Sequence, residues 1–137
     1  MSVDDNKALA MRFYNEILNG GMMDVADEIL ASQYIDHNAS APGLENFKRY
    51  LAMITSVFPD INVTVEDMFA DDHNVAARLT ISGTQSGSFR GFPAKGGQAT
   101  WSGIDIIRVS DGKIVERWSE RDFLHMLVQL GHIEYPQ

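Results

Sequence analysis

The sequence predicts an α+β fold in which helices come first and a long, mainly antiparallel sheet follows. Up to Phe58, apolar residues recur at the spacing of helices, and from Ile61 onward they alternate with polar residues as in strands. Pro59 lies at this change of period and would end a helix. The chain has 137 residues, so it is predicted to form one domain, 1–137, with a core that needs neither metal nor disulfide.

The helical half is predicted to contain three helices. The first begins near Ser2, whose hydroxyl can cap it together with Asp5, and ends at Gly20. Its buried stripe at fourfold spacing consists of Leu9, Phe13 and Ile17. The second and third helices are predicted over 23–30 and 43–58, with a short extended piece between them at 34–38.

The second half is predicted to form four strands and a short C-terminal helix. The strands are expected at 61–66, 75–83, 98–109 and 113–121. A glycine-rich loop at 87–97 has no phosphate-binding signature and is expected at the rim of a pocket. The last helix follows Asp122, a predicted N-cap, and ends at Gly131. A curved sheet that wraps a long helix leaves a pocket between the two.

The hairpin formed by the last two strands places the most informative polar residues. A three-residue turn, which we favour, sets Asp105 opposite Arg117 and Gly103 opposite Ser119. These four residues then share one sheet face with Trp101 and Val115. A two-residue turn would set Asp105 opposite Trp118 and turn Ser119 to the other face.

Composition excludes several classes of function. The net charge of −8 argues against a nucleic-acid partner. The chain has no cysteine, and its four histidines lack ligand spacing, so no metal site is expected. The N-terminus lacks the features of a signal peptide and no apolar run reaches membrane-spanning length, so we expect no membrane association and a cytoplasmic location.

Several short motifs occur in the order and spacing of a known family. They are Phe58-Pro59-Asp60, Ser82-Gly83-Thr84, Gly91-Phe92-Pro93, Arg108, Asp111-Gly112-Lys113-Ile114-Val115-Glu116, Trp118 and Gln129-Leu130-Gly131. From about residue 8 to 131, the chain resembles the SnoaL-like polyketide cyclases (ester cyclases). The resemblance implies the cone-shaped α+β fold of the nuclear transport factor superfamily, a deep apolar pocket, and a dimer or higher oligomer. It also implies an intramolecular aldol ring closure on an aromatic polyketide ester without metal or cofactor.

The resemblance assigns family site positions to three residues of this chain. Ser119 stands where the cyclases carry their general acid/base aspartate, Asp105 matches the cyclase histidine, and Asp36 matches an early asparagine. A serine of ordinary pKa cannot abstract a carbon-bound proton at neutral pH without an activating group. The resemblance therefore implies the fold of the family, whereas the residue at the position of the base does not match the cyclase reaction.

Asp105 is the first candidate for catalysis, because it interrupts an isoleucine-rich strand that should be buried. It is either a base whose pKa is raised by burial or the ion-pair partner of Arg117. His37, beside Asp36, is a candidate general base, or else a loop residue bonded to backbone. The predicted catalytic group is thus Asp105, Arg117 and His37. The predicted substrate-binding residues are Ser119, Trp101, Tyr34, Asp36 and Phe92, with Tyr34 or His37 at the mouth of the pocket.

Two functions of different classes fit these residues. One is an enzyme that uses acid/base chemistry on a small, largely apolar carbonyl or hydroxylated substrate, of cyclase, isomerase or hydratase type. The other is a non-catalytic ligand-binding or interaction module of the same fold. In either case, exposed apolar residues on the outer face of the last hairpin predict a homodimer. Those residues are Ile104, Ile106 and Trp118.

Overall fold

The computed structural model describes residues 2–136. Its helices are α1 (Val3–Arg12), α2 (Met23–Ile29), α3 (Leu44–Val57) and α4 (Phe123–Gln129), and α1 continues directly into a π-helical segment, Phe13–Leu18. Its strands are β1 (Leu30–Asp36), β2 (Asn62–Ala70), β3 (Asn74–Thr84), β4 (Gln98–Ser110) and β5 (Lys113–Arg121). Within residues 2–136, no helix has the length and apolar character needed to cross a membrane.

The five strands form one sheet in the order β1-β5-β4-β3-β2. All neighbouring pairs are antiparallel except β1 and β5, which run parallel. The predicted α+β class and the mainly antiparallel sheet are confirmed. The extended piece predicted at 34–38 is longer than expected, because the chain enters β1 directly after Ile29 and pairs along the free edge of β5.

The helices cover one face of this sheet and enclose the core. Along β4, buried and exposed residues alternate without interruption over the whole strand, as expected when one face packs inward and the other faces outward. The Ser2–Asp5 capping box starts α1 as predicted. At the other end, the Asn19 N–H bonds the Tyr14 carbonyl at 2.9 Å, a wide turn of the π type that keeps Phe13 and Tyr14 buried.

The last hairpin has a register that differs from both predicted alternatives. Its turn has two residues, Asp111 and Gly112, with φ of 52° and 76°, the left-handed pair of a type I′ turn. A bulge at Val115 follows, because Val109 pairs with Ile114 while Arg108 pairs with Glu116.

The favoured three-residue turn is therefore wrong, and Asp105 lies opposite Ser119 rather than Arg117. The bulge places one extra residue in β5. A two-residue turn alone would turn Ser119 to the other face, but the extra residue returns Arg117 and Ser119 to the face of Asp105. Gly103 pairs with Arg121. Ile114 takes the buried position expected for Val115.

The glycine-rich loop is held against the C-terminal helix. The buried Gln85 side chain donates to the carbonyls of Gly87 and Phe92, and it accepts a 2.6 Å hydrogen bond from His132 Nε2. Asp122 caps α4 through the His125 N–H at 3.0 Å, as predicted.

Candidate functional site

A cluster of ionic side chains is buried at the centre of the inner sheet face. Arg117 donates to Asp36 Oδ2 from Nε and Nη2, both at 2.8 Å, and from Nη1 to Asp105 Oδ2 at 3.1 Å. Arg121 donates from Nη1 to the other oxygen of Asp105 at 2.6 Å. The side chains of Asp36 and Asp105 are fully buried and that of Arg121 is 11% exposed. Two carboxylates and two guanidiniums thus balance in charge.

Two tyrosines complete the hydrogen bonding of the carboxylates. Tyr14 donates to Asp105 Oδ2 and Tyr34 donates to Asp36 Oδ2, each at 2.8 Å. Burial raises the pKa of both phenols well above the ordinary value, so they remain protonated donors. The π-helical turn after α1 positions Tyr14, and the strand β1 positions Tyr34.

The electrostatics of the cluster decide the ionisation of Asp105. Burial alone would raise the pKa of this carboxyl, but the charges of Arg117 and Arg121 outweigh burial and hold the pKa below its ordinary value. Asp105 is therefore ionised at neutral pH. Of the two roles left open by the sequence, the structure shows the ion-pair partner and not a base of raised pKa.

A glycine allows Arg121 to reach Asp105. A Cβ atom on Gly103 would lie 2.7 Å from Arg121 Nη1 and 2.8 Å from Arg121 Cδ. Both distances are shorter than real Cβ contacts, so the arginine can lie across β4 only because the residue opposite has no side chain.

The cluster forms the polar end of an apolar cavity of about 60 Å³. One water needs about 10–15 Å³, so the cavity has room for a few water molecules. Within residues 2–136, the charged residues in its wall are Arg117 and Arg121. Its remaining wall comes from Leu18, Tyr50, Leu51, Ile54, Phe58, Ile61, Val63, Ile81, Phe89, Trp101 and Phe123. Asp105 lies behind the arginines.

The two arginines differ in the donors that they offer to this cavity. Arg117 uses Nε, Nη1 and Nη2 on the two aspartates. The hydrogen bonds of Arg121 within the described part of the chain all come from Nη1, to Asp105 and to the Glu120 carbonyl. Its Nε and Nη2 donors therefore remain for a ligand, and Arg121 is the cationic group best placed to bind one.

The predicted site residues fall into three groups in the structure. Asp36, Asp105, Arg117 and Tyr34 come together in the buried cluster, and Trp101 lines the cavity. Tyr34 is fully buried, so it does not lie at the mouth as predicted.

Ser119 faces Asp105 across the hairpin, and its buried Oγ has no hydrogen-bond partner among residues 2–136. With His37 it lines a separate surface depression of about 310 Å³.

His37 and Phe92 do not join the cluster. His37 follows β1 on the outer sheet face, where Nε2 lies 2.6 Å from Glu116 Oε2 and the ring stacks on Trp118 at 5.0 Å. The grouping of His37 with Asp105 and Arg117 is therefore corrected. His37 directly follows Asp36, and adjacent residues of an extended chain point to opposite faces. Phe92 packs against His132 at 5.1 Å, outside the cavity wall.

Sequence reasoning missed Tyr14 and Arg121. A signal for Arg121 was present, since residues 117, 119 and 121 alternate along one strand and share a face. Tyr14 had no comparable signal, because it lies beside the apolar stripe of the first helix and its partner is 91 residues away.

Comparisons with known proteins agree with this architecture. A family model described as SnoaL-like polyketide cyclase matches residues 8–130. The aklanonic acid methyl ester cyclase DauD of Streptomyces sp. (strain C5) is 28% identical over 123 residues, which cover 85% of this chain and 76% of that protein.

Solved structures are similar over almost the whole chain. TsrD from Streptomyces laurentii is 28% identical with a TM-score of 0.88, covering 97% of this chain and 99% of that one. Wild-type IdmH from Streptomyces antibioticus is 29% identical with a TM-score of 0.81, covering 91% and 97%. With the family model matching most of its length, the chain belongs to the SnoaL-like polyketide cyclase family.

Proposed function

We propose that this protein is a cofactor-independent acid/base enzyme that acts on an apolar carbonyl or hydroxylated molecule. The observation that carries the proposal is an apolar cavity that ends at Arg121, whose Nε and Nη2 donors are free for a ligand oxygen. The chemistry is of the cyclase, isomerase or hydratase type, in which negative charge develops on that oxygen. The names of the curated relatives, cyclases of aklanonic acid methyl ester, make aromatic polyketide esters the first substrate class to test.

The arginines supply the electrophilic part of this chemistry. The oxygen-bearing end of the substrate enters the cavity beside Phe58 and Trp101, and its oxygen accepts hydrogen bonds from Arg121. Charge on the developing enolate or alkoxide is stabilised strongly because the site is apolar and the donors are already oriented. Asp105 holds Arg121 in place and keeps the cluster neutral. The α-proton leaves to hydroxide or to a buffer base from the solvent, so the protein supplies the electrophilic half of the catalysis. In a hydratase-type reaction water adds to the substrate and gives up its proton to the same bases.

Exchange of α-protons tests the proposal without knowledge of the natural substrate. Wild-type protein is expected to accelerate deuterium incorporation into 2-tetralone in D₂O, because a stabilised enolate forms more often. Replacing Arg121 by methionine should reduce this acceleration by about 10²–10³-fold. Proton NMR of the ketone measures the rate, and Arg12→Met, which changes an arginine on α1 away from the cavity and from the outer sheet face, is the matched control.

The second candidate is a binding module without catalysis. It is favoured by one observation: Asp105 is fully buried and already accepts hydrogen bonds from Tyr14, Arg117 and Arg121. If NMR titration shows that 2-tetralone binds while its protons exchange no faster than in buffer, the module is correct and the enzyme is not.

We also propose that the protein is a homodimer packed through the outer face of the last hairpin. Ile104 and Ile106 are 55% and 43% exposed and flank the half-buried Trp118, and Phe69 on β2 is 70% exposed. An apolar face of this kind is unusual on a monomer. A specific dimer would bury about 800 Å² on each partner.

Light scattering is expected to give the dimer mass at micromolar concentration. The double change Ile104→Lys and Ile106→Lys should give a folded monomer, because it places like charges at the interface, whereas Lys113→Glu at the hairpin tip should leave the dimer intact. A wild-type monomer at the same concentration would refute the proposal.

A further inference from the structure

A second and wider space adjoins the apolar cavity. We call it the vestibule. It has a volume of about 400 Å³ and is bounded by α3, by residues 38–40 and by residues 88–90. The vestibule and the cavity share four lining residues, Tyr50, Ile54, Phe89 and Phe123. A molecule whose reacting end enters the cavity therefore has its body in the vestibule.

The charged residues that line these two spaces, within residues 2–136, are all arginines. Arg117 and Arg121 line the cavity, and Arg49 and Arg90 line the vestibule. The chain as a whole is acidic, with 19 acidic and 11 basic residues. Positive charge is thus concentrated along one path in a negatively charged protein, an arrangement that attracts and orients an anion.

The inner and outer arginines differ in what neutralises them. The inner pair faces Asp36 and Asp105 in the buried cluster. Arg49 instead bonds a neutral group, Asn46 Oδ1, at 2.7 Å. Arg90 lies over the rings of Phe89 and Phe123, at 5.3 and 5.1 Å from their centres. The uncompensated positive charge is therefore in the vestibule.

The backbone conformation of Arg90 is a second observation that favours a ligand-binding role for this residue. Arg90 has φ of 47° and Gly91 has φ of 88°, within a tight turn closed by the pairing of Phe89 with Phe92. The first position of such a turn favours asparagine or glycine, and a long side chain there costs conformational free energy. Strain of this kind is concentrated at ligand-binding sites. Here it holds a guanidinium at the aromatic rim between vestibule and cavity.

We propose that the vestibule binds a carboxylate carried by the ligand, between Arg49 and Arg90. The substrate is then an apolar carboxylate whose body lies in the vestibule and whose reacting oxygen enters the cavity and meets Arg121. Guanidinium groups suit a carboxylate because their paired donors match its two oxygens. This inference rests on the proposed function, since it uses the same cavity for the reacting end of the substrate.

A pair of probes of equal shape tests the inference. NMR titration compares 2-naphthoate with its neutral analogue 2-naphthamide in the wild type, in the double variant Arg49→Gln and Arg90→Gln, and in the control Arg12→Gln. At low salt, the wild type and the control are expected to bind the carboxylate about three- to tenfold more tightly than the amide, the range for exposed but well-oriented ion pairs. The double variant should bind the two probes equally, and added salt should reduce the wild-type preference.

The outcomes separate this inference from the proposed function. If the wild type binds both probes equally, the vestibule inference is overturned while the cavity remains. A preference that persists in the double variant also overturns it, because the carboxylate then binds elsewhere. If neither probe binds and 2-tetralone does not bind, both proposals are wrong.

Discussion

Replacing Arg117 by methionine is expected to lower the free energy of unfolding by about 3–5 kcal/mol. The change leaves Asp36 and Asp105 buried without the cation that faces both of them. Methionine fills the space over Phe13, whose ring lies 4.9 Å from the guanidinium, so the loss comes from electrostatics more than from packing. Urea denaturation of wild type and variant at equal protein concentration measures the difference.

The control for this prediction is an arginine on α1. Arg12 pairs with Glu16 and Glu28, both at 2.7 Å, and the three side chains are 39%, 33% and 62% exposed. Arg12→Met should cost far less than the change at Arg117, since water screens such pairs. Equal losses for the two variants would show that the buried cluster has no special role in stability.

The same variant should weaken the acid dependence of the free energy of unfolding. In the wild type the pKa of Asp105 is lowered in the folded state, with burial outweighed by Arg117 and Arg121. Its contribution is present above the unfolded-state pKa of about 3.9 and is lost as pH falls through the lower folded value. Without Arg117, less of the effect of burial is offset, so the folded-state pKa of Asp105 is higher than in the wild type and the variant loses less stability as pH falls. The difference in free energy of unfolding between the wild type and Arg117→Met should therefore become smaller on acidification. A difference that stays constant with pH would show that Arg117 does not control the ionisation of Asp105.

The sequence predicted most of the fold because its periodicity is local. The alternation along β4 and the apolar spacing of α3 each depend on one element and its two faces. The pairing of β1 with β5 was not predicted, because it joins Leu30 to Ile114 and Asp36 to Arg117 without a connecting turn. Only the contact shows that the stretch before His37 is a strand of the sheet.

The candidate site was predicted only in part, because alternation along a strand is a local pattern and the register between strands is not. Alternation was enough to place Asp105, Arg117 and Ser119 on one face, while the register depended on the bulge at Val115, which has no simple sequence signal. His37 was misplaced because its face follows from the pairing of β1. The role of Arg121 depends on Gly103 opposite it, and that pair is recognisable only once the register is known.

The wild-type protein is expected to close the ring of an aromatic polyketide ester far more slowly than a cyclase does. We propose that Ser119 stands at the position of the cyclase aspartate. The ionised Asp105 opposite it is occupied by two arginines and a tyrosine. Loss of a positioned general base lowers rates by about 10²–10⁴-fold.

Replacing Ser119 by aspartate should restore much of that factor, because it places a carboxylate opposite Asp105, between Arg117 and Arg121 on β5. Product formation followed by chromatography compares the wild type with Ser119→Asp and with Ser119→Asn, which has the same shape and no basic oxygen. Only the aspartate variant should gain activity, since the gain requires a base and not a larger side chain. Rapid ring closure by the wild type that survives Asp105→Asn would mean that another residue is the base, and an equal gain in Ser119→Asn would mean that position 119 acts through packing.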